Sequence, residues 1–309
     1  MAHITIVVPC FNEEENVQPL YERLVQITEA IPRHAFSFLF IDNASSDRTR
    51  AILRELAAQD RRVKAIFNVR NFGHIRSPYY GLLQAPGDAA VLMAADFQDP
   101  PELLPQFIAE WEKGFPLVLG IKNKSHELPL MYSLRTLYYR MLGALSDVPL
   151  NENSTGFGVY DRKVLESMRA IPEPYPYLRG LVCELGYPTA KIPFTQPVRR
   201  RGITKNNFYT LYDIAMLGFV SHSKLPLRLA TMVGFGLGII SLVISFVYLL
   251  MKLIFWNSFS IGLAPVLIGV FFFGSVQLFC IGILGEYIGS IHTKVSQRPL
   301  VIEQERINF

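Results

Sequence analysis

Two uncharged apolar runs near the C-terminus, Leu229–Met251 and Leu253–Gly285, constrain this 309-residue chain more than any other feature. Helical rise is about 1.5 Å per residue and a hydrocarbon core is about 30 Å thick, so each run is long enough to cross a bilayer. The pair predicts a two-helix transmembrane hairpin over 226–288, with spans at about 229–251 and 261–285. The first 225 residues follow another pattern, in which short apolar segments alternate with polar, periodic ones and acidic loops. That contrast predicts one soluble α/β domain over 1–225 and a short tail over 289–309. A soluble domain tied to a bilayer suits chemistry between a water-soluble donor and a lipid-borne acceptor.

The net charge is only +4, but its placement is informative. Arg199, Arg200, Arg201, Lys205, Lys224 and Arg228 precede the first run against a single acid, Asp213. Lys294 and Arg298 follow the second run, and the link between the runs offers Lys252. The positive-inside rule then places the large domain and the C-terminus in the cytoplasm, in a multi-pass protein. Cys10, Cys183 and Cys280 are widely separated and lack metal-ligand spacing, so they read as reduced thiols rather than a zinc site. The start, MAHITIVVPC, lacks the basic and apolar regions of a signal peptide, which leaves the hairpin as the expected targeting signal.

Within the soluble part, His3–Pro9 is apolar and β-branched, as a strand buried on both faces should be. Phe36–Ile41, Val63–Phe67, Ala89–Ala94 and Pro116–Ile121 repeat the pattern. Acids at Glu13, Glu14 and Glu15 are expected to open a helix reaching Ile31, and Asp47 to cap one running through Ala58. Pro101 is expected to open a third helix, to about Lys113. Strand and helix alternating at this spacing predict βαβ units in a doubly wound, mostly parallel sheet. Ligands of such sheets sit beyond the carboxyl ends of strands, here the loops at Pro9, Asp42, Phe67 and Ala94. Two amphipathic stretches, about 131–145 and 207–222, read either as core-facing helices or as helices lying in the membrane interface.

The loops carry the chemistry. Asp42 ends its strand beside Asn43, Ser45 and Ser46, a cluster suited to a base or ribose. Asp96 and Gln98 offer hard oxygen ligands of the kind Mg²⁺ or Mn²⁺ takes when a diphosphate supplies the rest. Arg70-Asn71-Phe72-Gly73-His74 adds a cation and a glycine turn to the same rim. Three such signals at successive strand ends point to nucleotide binding.

The blocks VVPCFNEEENV, IDNASSDRT, RNFGH and AADFQDPPE resemble, in order and spacing, those of family 2 glycosyltransferases with the GT-A fold. RGITK, SHSKLPLRLA and LGEYIG, with the two apolar runs, narrow the resemblance to bacterial polyprenyl-phosphate glycosyltransferases, relatives of dolichyl-phosphate mannose synthase. The resemblance implies that Pro9, Asn12, Glu13, Asp42, Asn43 and Arg70 hold the nucleotide. It implies that Asp96 and Gln98 reach Mg²⁺ or Mn²⁺, and that Arg179, Arg200, Arg201 and Lys205 meet the lipid phosphate. It also implies a homo-oligomer, with a tetramer the expected size, in the bacterial inner membrane.

Three positions depart from the family pattern. Ala94 stands where the fourth strand usually carries the first Asp of Asp-x-Asp; Asp42-Asn43-Ala44-Ser45 replaces Asp-Asp-Gly-Ser or Asn-Asp-Gly-Ser; Thr155-Gly156-Phe157-Gly158 replaces Gly-Asp-Phe-Arg. Arg76 is read either as an exposed helix residue or as a cation standing in for part of the metal. The expected reaction is inverting transfer of one sugar from a nucleotide sugar, a UDP-sugar first, to undecaprenyl phosphate for envelope-polymer or lipid A modification. A phosphate acceptor is already ionised at neutral pH and needs no strong base. Asp96, at the metal and diphosphate, is expected to be catalytic, and should an acid be needed, Asp99, Glu184 and Asp161 are the candidates. The expected partners are the nucleotide sugar, the polyprenyl phosphate and the bilayer, with no nucleic acid. A processive polysaccharide synthase and a degenerate transferase kept as an assembly partner are the alternatives.

Overall fold

The computed structural model describes residues 1–124, 154–197, 225–254, 263–296 and 298–309. The expected amphipathic stretches at 131–145 and 207–222, and Arg200, Arg201 and Lys205, lie outside the described residues.

The chain begins β1 (His3–Cys10), α1 (Val17–Glu29), β2 (Ala35–Asp42), α2 (Thr49–Gln59), β3 (Val63–Asn68), α3 (Gly73–Gln84) and β4 (Ala89–Leu92). A 3-10 turn at Pro101–Leu103 leads into α4 (Leu104–Glu112), followed by β5 (Leu117–Lys124) and β6 (Ser154–Asp161). Then come α5 (Arg162–Arg169), α6 (Leu178–Glu184) and β7 (Thr189–Thr195). Two long helices, α7 (Leu225–Ile254) and α8 (Leu263–Val295), precede a last strand, β8 (Glu303–Ile307).

All eight strands form one sheet in the order β7-β5-β6-β4-β1-β2-β3-β8. β1 pairs in parallel with β2 and with β4, β2 with β3, and β5 with β7. β6 runs antiparallel to β4 and β5, and β8 antiparallel to β3. β1 alternates its side chains between two cores, as a strand with period two must. Ile4, Ile6 and Val8 face Leu20 and Leu24 of α1, Leu53 of α2 and Phe107 of α4. Val7 joins Leu39 and Ile41 against Tyr79 and Leu82 of α3 and Leu165 of α5. The polar exception, Thr5, is fully buried and bonds Ser37 Oγ at 2.9 Å and the Pro86 carbonyl at 2.6 Å. The α/β expectation is met, with the sheet mixed but parallel at its centre.

Some expectations need correction. The acids at 13–15 do not start a helix: α1 begins at Val17, after a turn closed by the Asn16 and Val17 N–H groups on the Glu13 carbonyl. Asp47 does serve the first turn of α2, accepting from Thr49 N–H at 3.0 Å. Within the tail, Glu303–Ile307 forms the strand that covers β3.

Over their described residues both apolar runs are helical, and the two helices touch. Tyr287 hydrogen-bonds the Leu227 backbone, and Cys280 Sγ lies 4.0 Å from the Ala230 carbonyl, so the helices run antiparallel. Their apolar side chains face outward, with Phe235 71% and Leu278 72% exposed, far beyond what a soluble core helix shows. Among the described residues, Phe272–Val295 is the one stretch long and apolar enough to cross a membrane, with mean hydropathy 1.4. Leu229–Ser241 is a shorter apolar stretch.

Gly81 lets α3 settle onto the sheet: a Cβ there would lie 3.0 Å from Ile41 Cγ2 and 3.1 Å from Val7 Cγ1. Gly81→Leu is expected to push α3 off β1 and β2 and cost about 1–3 kcal/mol. A lowered melting temperature of the purified protein would show it.

Candidate active site

The order of the central strands reverses between β1 and β4, and a crevice opens where their carboxyl ends part. Three non-glycine residues there hold left-handed backbone: Asn12 (φ 55°) after β1, Ala44 (φ 62°) after β2 and Phe97 (φ 60°) after β4. Each costs about 1–2 kcal/mol and persists only where surrounding bonds over-determine it. The bonds are visible at the first two. Asn12 N–H donates to Ser45 Oγ (2.8 Å), while Ser46 N–H donates to Asn12 Oδ1 (2.8 Å). Glu13 N–H donates to Thr49 Oγ1 (2.9 Å), Glu14 N–H to Asp47 Oδ2 (3.2 Å), and Arg48 N–H to Glu14 Oε2 (2.9 Å). Each loop's side chains satisfy the other's backbone, so the two loops form one unit.

Asn43 ties the end of β2 to the turn before α3. Its Nδ2 donates to Asn71 Oδ1 (2.8 Å) and the Gly73 carbonyl (3.1 Å), and its Oδ1 accepts from Phe72 N–H (2.9 Å) and Asn68 Nδ2 (3.2 Å). Both ends of the amide are thereby committed to the scaffold. Asp42 is fully buried, with Arg50 Nε 3.2 Å from its Oδ2. Burial raises its pKa, opposed by hydrogen bonds from Ser45 and by the Arg50 charge.

A cavity of about 520 Å³ occupies the crevice. Of the sequence-predicted residues, Pro9, Glu13, Asn43, Asp99 and Arg179 line it. Asn12, Asp42, Asp96 and Gln98 belong to the surrounding loops instead, and Asn12 and Asp42 shape the site through the bonds above. Arg70 is exposed, with its guanidinium 4.1 Å above the Phe72 ring. Glu184 is exposed at the far end of α6 and does not reach the cavity. Asp161 lies at the wrong end of the sheet, opposite Ala89 at the start of β4, where it caps α5 and accepts from Trp111 Nε1 at 2.7 Å. Arg76 stands 5.2 Å from the Tyr175 ring and is not among the residues lining the cavity.

Asp99 is the buried carboxylate of this cavity. Burial raises its pKa to about 7; the Asp96 charge adds to the rise, while the Ala94 N–H, Arg179 and Lys122 oppose it. Ala94 N–H donates to Asp99 Oδ2 at 2.9 Å, so the backbone at the altered motif position holds this side chain. His74, in the first turn of α3 beside the cavity, has its pKa lowered by desolvation and by nearby Arg179. The first turn of α3 and Arg179 make this wall electropositive, as suits a phosphate, and His74 adds a neutral ring nitrogen beside them. The sequence reading named His74 only within its motif and did not anticipate Tyr177, which joins the lining. Tyr177 carries no local motif and reaches the cavity only because α6 packs beside β6.

Gly156 explains one departure from the family pattern. It holds φ +91°, a Cβ there would meet Leu178 Cδ2 at 3.2 Å, and its carbonyl accepts from Tyr160 Oη at 2.6 Å. An acid at 156 would need a different backbone. As a metal site, the loop after β4 supplies residues with hard oxygens, Asp96 and Gln98, in one turn that the Gln98 N–H closes on Asp96 Oδ1 at 3.1 Å. Among the described residues no three His, Cys, Asp or Glu side chains gather to complete a ligand set. That donor set fits a divalent ion whose remaining ligands are diphosphate and water.

Residues 5–169 match the family described as Glycosyl transferase family 2. The chain is 33% identical over 300 residues to the SfII prophage-derived bactoprenol glucosyl transferase of Shigella flexneri, covering 97% of this chain and 96% of the relative. It is 31% identical over 300 residues to the prophage bactoprenol glucosyl transferase homolog of Escherichia coli K12, covering 97% of each. Among solved structures it resembles glucosyl-3-phosphoglycerate synthase from Mycobacterium tuberculosis in complex with Mn²⁺, UDP and phosphoglyceric acid. That match has a TM-score of 0.50 at 17% identity and covers 71% of this chain and 76% of the other. At that identity the likeness speaks for the GT-A fold alone.

Two substitutions test the scaffold by denaturation. Asn43→Ala is expected to cost about 1–3 kcal/mol by stranding buried partners. Gly156→Asp is expected to destabilise by about 1–2 kcal/mol through its backbone alone, rather than restore a missing acid.

Proposed function

The chain belongs to glycosyl transferase family 2, and on that premise we propose that it moves one sugar from a UDP-sugar to a polyprenyl phosphate of the undecaprenyl type. Full-length similarity to bactoprenol glucosyl transferases supports the lipid acceptor. The observation that carries the reading is the place of the cavity. Its wall holds Tyr177 and Arg179, and the segment leading into that wall is joined to the end of the apolar helix α8 by the Lys294–Glu173 ion pair (3.0 Å). A phosphate entering from the lipid surface would meet Arg179 and the start of α3 there, where low dielectric strengthens the pairing. Arg200, Arg201 and Lys205 are proposed to extend this cationic wall.

Chain topology supports a two-span anchor in the inner membrane. β8 pairs with β3 in the sheet that holds β1, so the chain leaves the soluble domain and returns to the same side. Return requires an even number of crossings, and α7 and α8, of 30 and 33 residues, are each long enough for one. With the basic residues at both ends of this segment, the shared side is the cytoplasm. Cβ positions built on Gly234, Gly236, Gly238, Gly269 and Gly274 meet nothing within 4 Å, which leaves these helix faces open for the proposed homo-oligomer, a tetramer.

Donor binding falls to the crevice side: Pro9 and Glu13 line it, while Asn12, Asp42 and Asn43 set its shape, and Arg70 stands at its rim. Asp96 and Gln98 would hold Mg²⁺ or Mn²⁺, which supplies positive charge to the departing diphosphate. The acceptor oxygen attacks the anomeric carbon as the bond to the nucleoside diphosphate breaks, inverting the centre. Its nucleophile is already ionised, so the protein's task is alignment and stabilisation of the leaving group. Of the acid-base candidates, Asp99 alone has both burial and cavity access, and its carboxylate takes the role that Glu184 and Asp161 cannot reach.

A radiolabelled UDP-sugar, undecaprenyl phosphate and Mn²⁺ should give an organic-soluble sugar lipid with the purified protein. Asp96→Asn and Asp99→Asn should each lower turnover by about 10²-fold or more. No lipid product from a broad donor panel would overturn the reading. Ala94 and Gly156 motivate one rival, a transferase scaffold kept as a binding partner, and UDP binding without any turnover would favour it.

A further inference from the structure

The geometry points to the C-terminal strand β8 as part of the donor site, with Gln304 a positioning residue that fixes Arg50 against Asp42. The inference rests on the reading that the Asp42 loop holds the donor nucleoside. β8 lies on β3 with Ala65 opposite Ile307, Ile66 opposite Arg306 and Phe67 opposite Glu305. From this strand, side chains reach both helices whose first turns frame the crevice. Toward α2, Arg50 Nη2 donates to Gln304 Oε1 at 2.8 Å and Arg54 Nη2 to Glu305 Oε2 at 2.7 Å. Asn308 Nδ2 donates to the Ala57 and Val63 carbonyls at 2.7 and 2.8 Å. Toward α3, Arg306 Nη2 donates to Gln84 Oε1 at 2.7 Å and Tyr80 Oη at 3.2 Å.

Arg50 is the link from this strap to the site. Its guanidinium lies 5.2 Å from the Phe67 ring, its Nε is 3.2 Å from Asp42 Oδ2, and its Nη2 is held by Gln304. The Nε does not make a hydrogen bond of good geometry, so the Asp42 contact is an ion pair whose aim depends on what else holds the guanidinium. Gln304 is the group that does so from outside the nucleotide-binding loops. Because β8 follows α8 directly, the last strand also connects the membrane helix to the donor loop.

Full-length protein in detergent, titrated with UDP and Mn²⁺ by calorimetry, tests the assignment. Gln304→Ala is expected to weaken UDP binding about three- to tenfold, the net worth of one ordinary hydrogen bond. Gln304→Glu, which still accepts from Arg50, should stay near the wild-type affinity. Glu305→Ala removes an ion pair of the same strand that does not reach Asp42, and it should also bind UDP as the wild type does. Unchanged affinity in Gln304→Ala overturns the positioning role while the donor site stands, and so does equal weakening in Gln304→Ala and Gln304→Glu. Parallel losses in Gln304→Ala and Glu305→Ala, with lowered melting temperatures, assign the effect to strand stability and overturn it too. A wild-type protein that fails to bind UDP overturns the donor reading and this inference with it.

Discussion

The site depends on one pairing pattern: β1 lies between β2 and β4, parallel to both. A parallel strand buried on both faces must be apolar along its length, and Ile4, Ile6, Val7 and Val8 are all fully buried. Parallel neighbours also place their carboxyl ends together, so the loops after β1, β2 and β4 emerge at one edge of the sheet. The chain winds outward from β1 in both directions, and the crevice at the reversal is where the cavity forms.

Holding that crevice open carries a local cost. Three residues adopt backbone that L-amino acids disfavour, and a carboxylate, Asp99, is buried beside another acid. The compensation is a set of side-chain-to-backbone bonds between the first two loops and a committed amide at Asn43. Polar residues that look like ligands in the sequence thus differ in how far the scaffold claims them. The Asn43 amide is committed at both ends and Asp42 is fully buried, while Asp99, held at one oxygen by the Ala94 N–H, lines the cavity beside Arg179.

The enzyme's two halves are joined at more than the chain connection. Lys294 meets Glu173 in the segment leading to Tyr177 and Arg179 of the cavity wall, and β8 covers the sheet edge beside β3. An uncovered edge strand would expose a row of backbone donors and acceptors. Here the segment that follows the apolar helices covers β3 and leaves as the edge a short strand carrying Glu303, Glu305 and Arg306, the kind of charged edge that resists further pairing.

Local pattern alone determined a good deal of this. The apolar runs, the apolar strands near 3–9, 36–41 and 63–67, and the acids at strand ends are properties of short segments, and they placed the α/β sheet and the loops that border the cavity. Helix starts were less legible: Glu13 to Glu15 looked like a first turn, yet their backbone is claimed by the neighbouring loop, a contact no local pattern encodes. Only the tertiary structure decided that Glu303–Ile307 is a strand, because a short charged segment gains that form by pairing with β3. It likewise separated Asp99 from Asp161 and Glu184, three carboxylates alike in sequence. Burial and the end of the sheet on which each sits are set by strand pairing across long separations, and these decide which carboxylate meets the cavity.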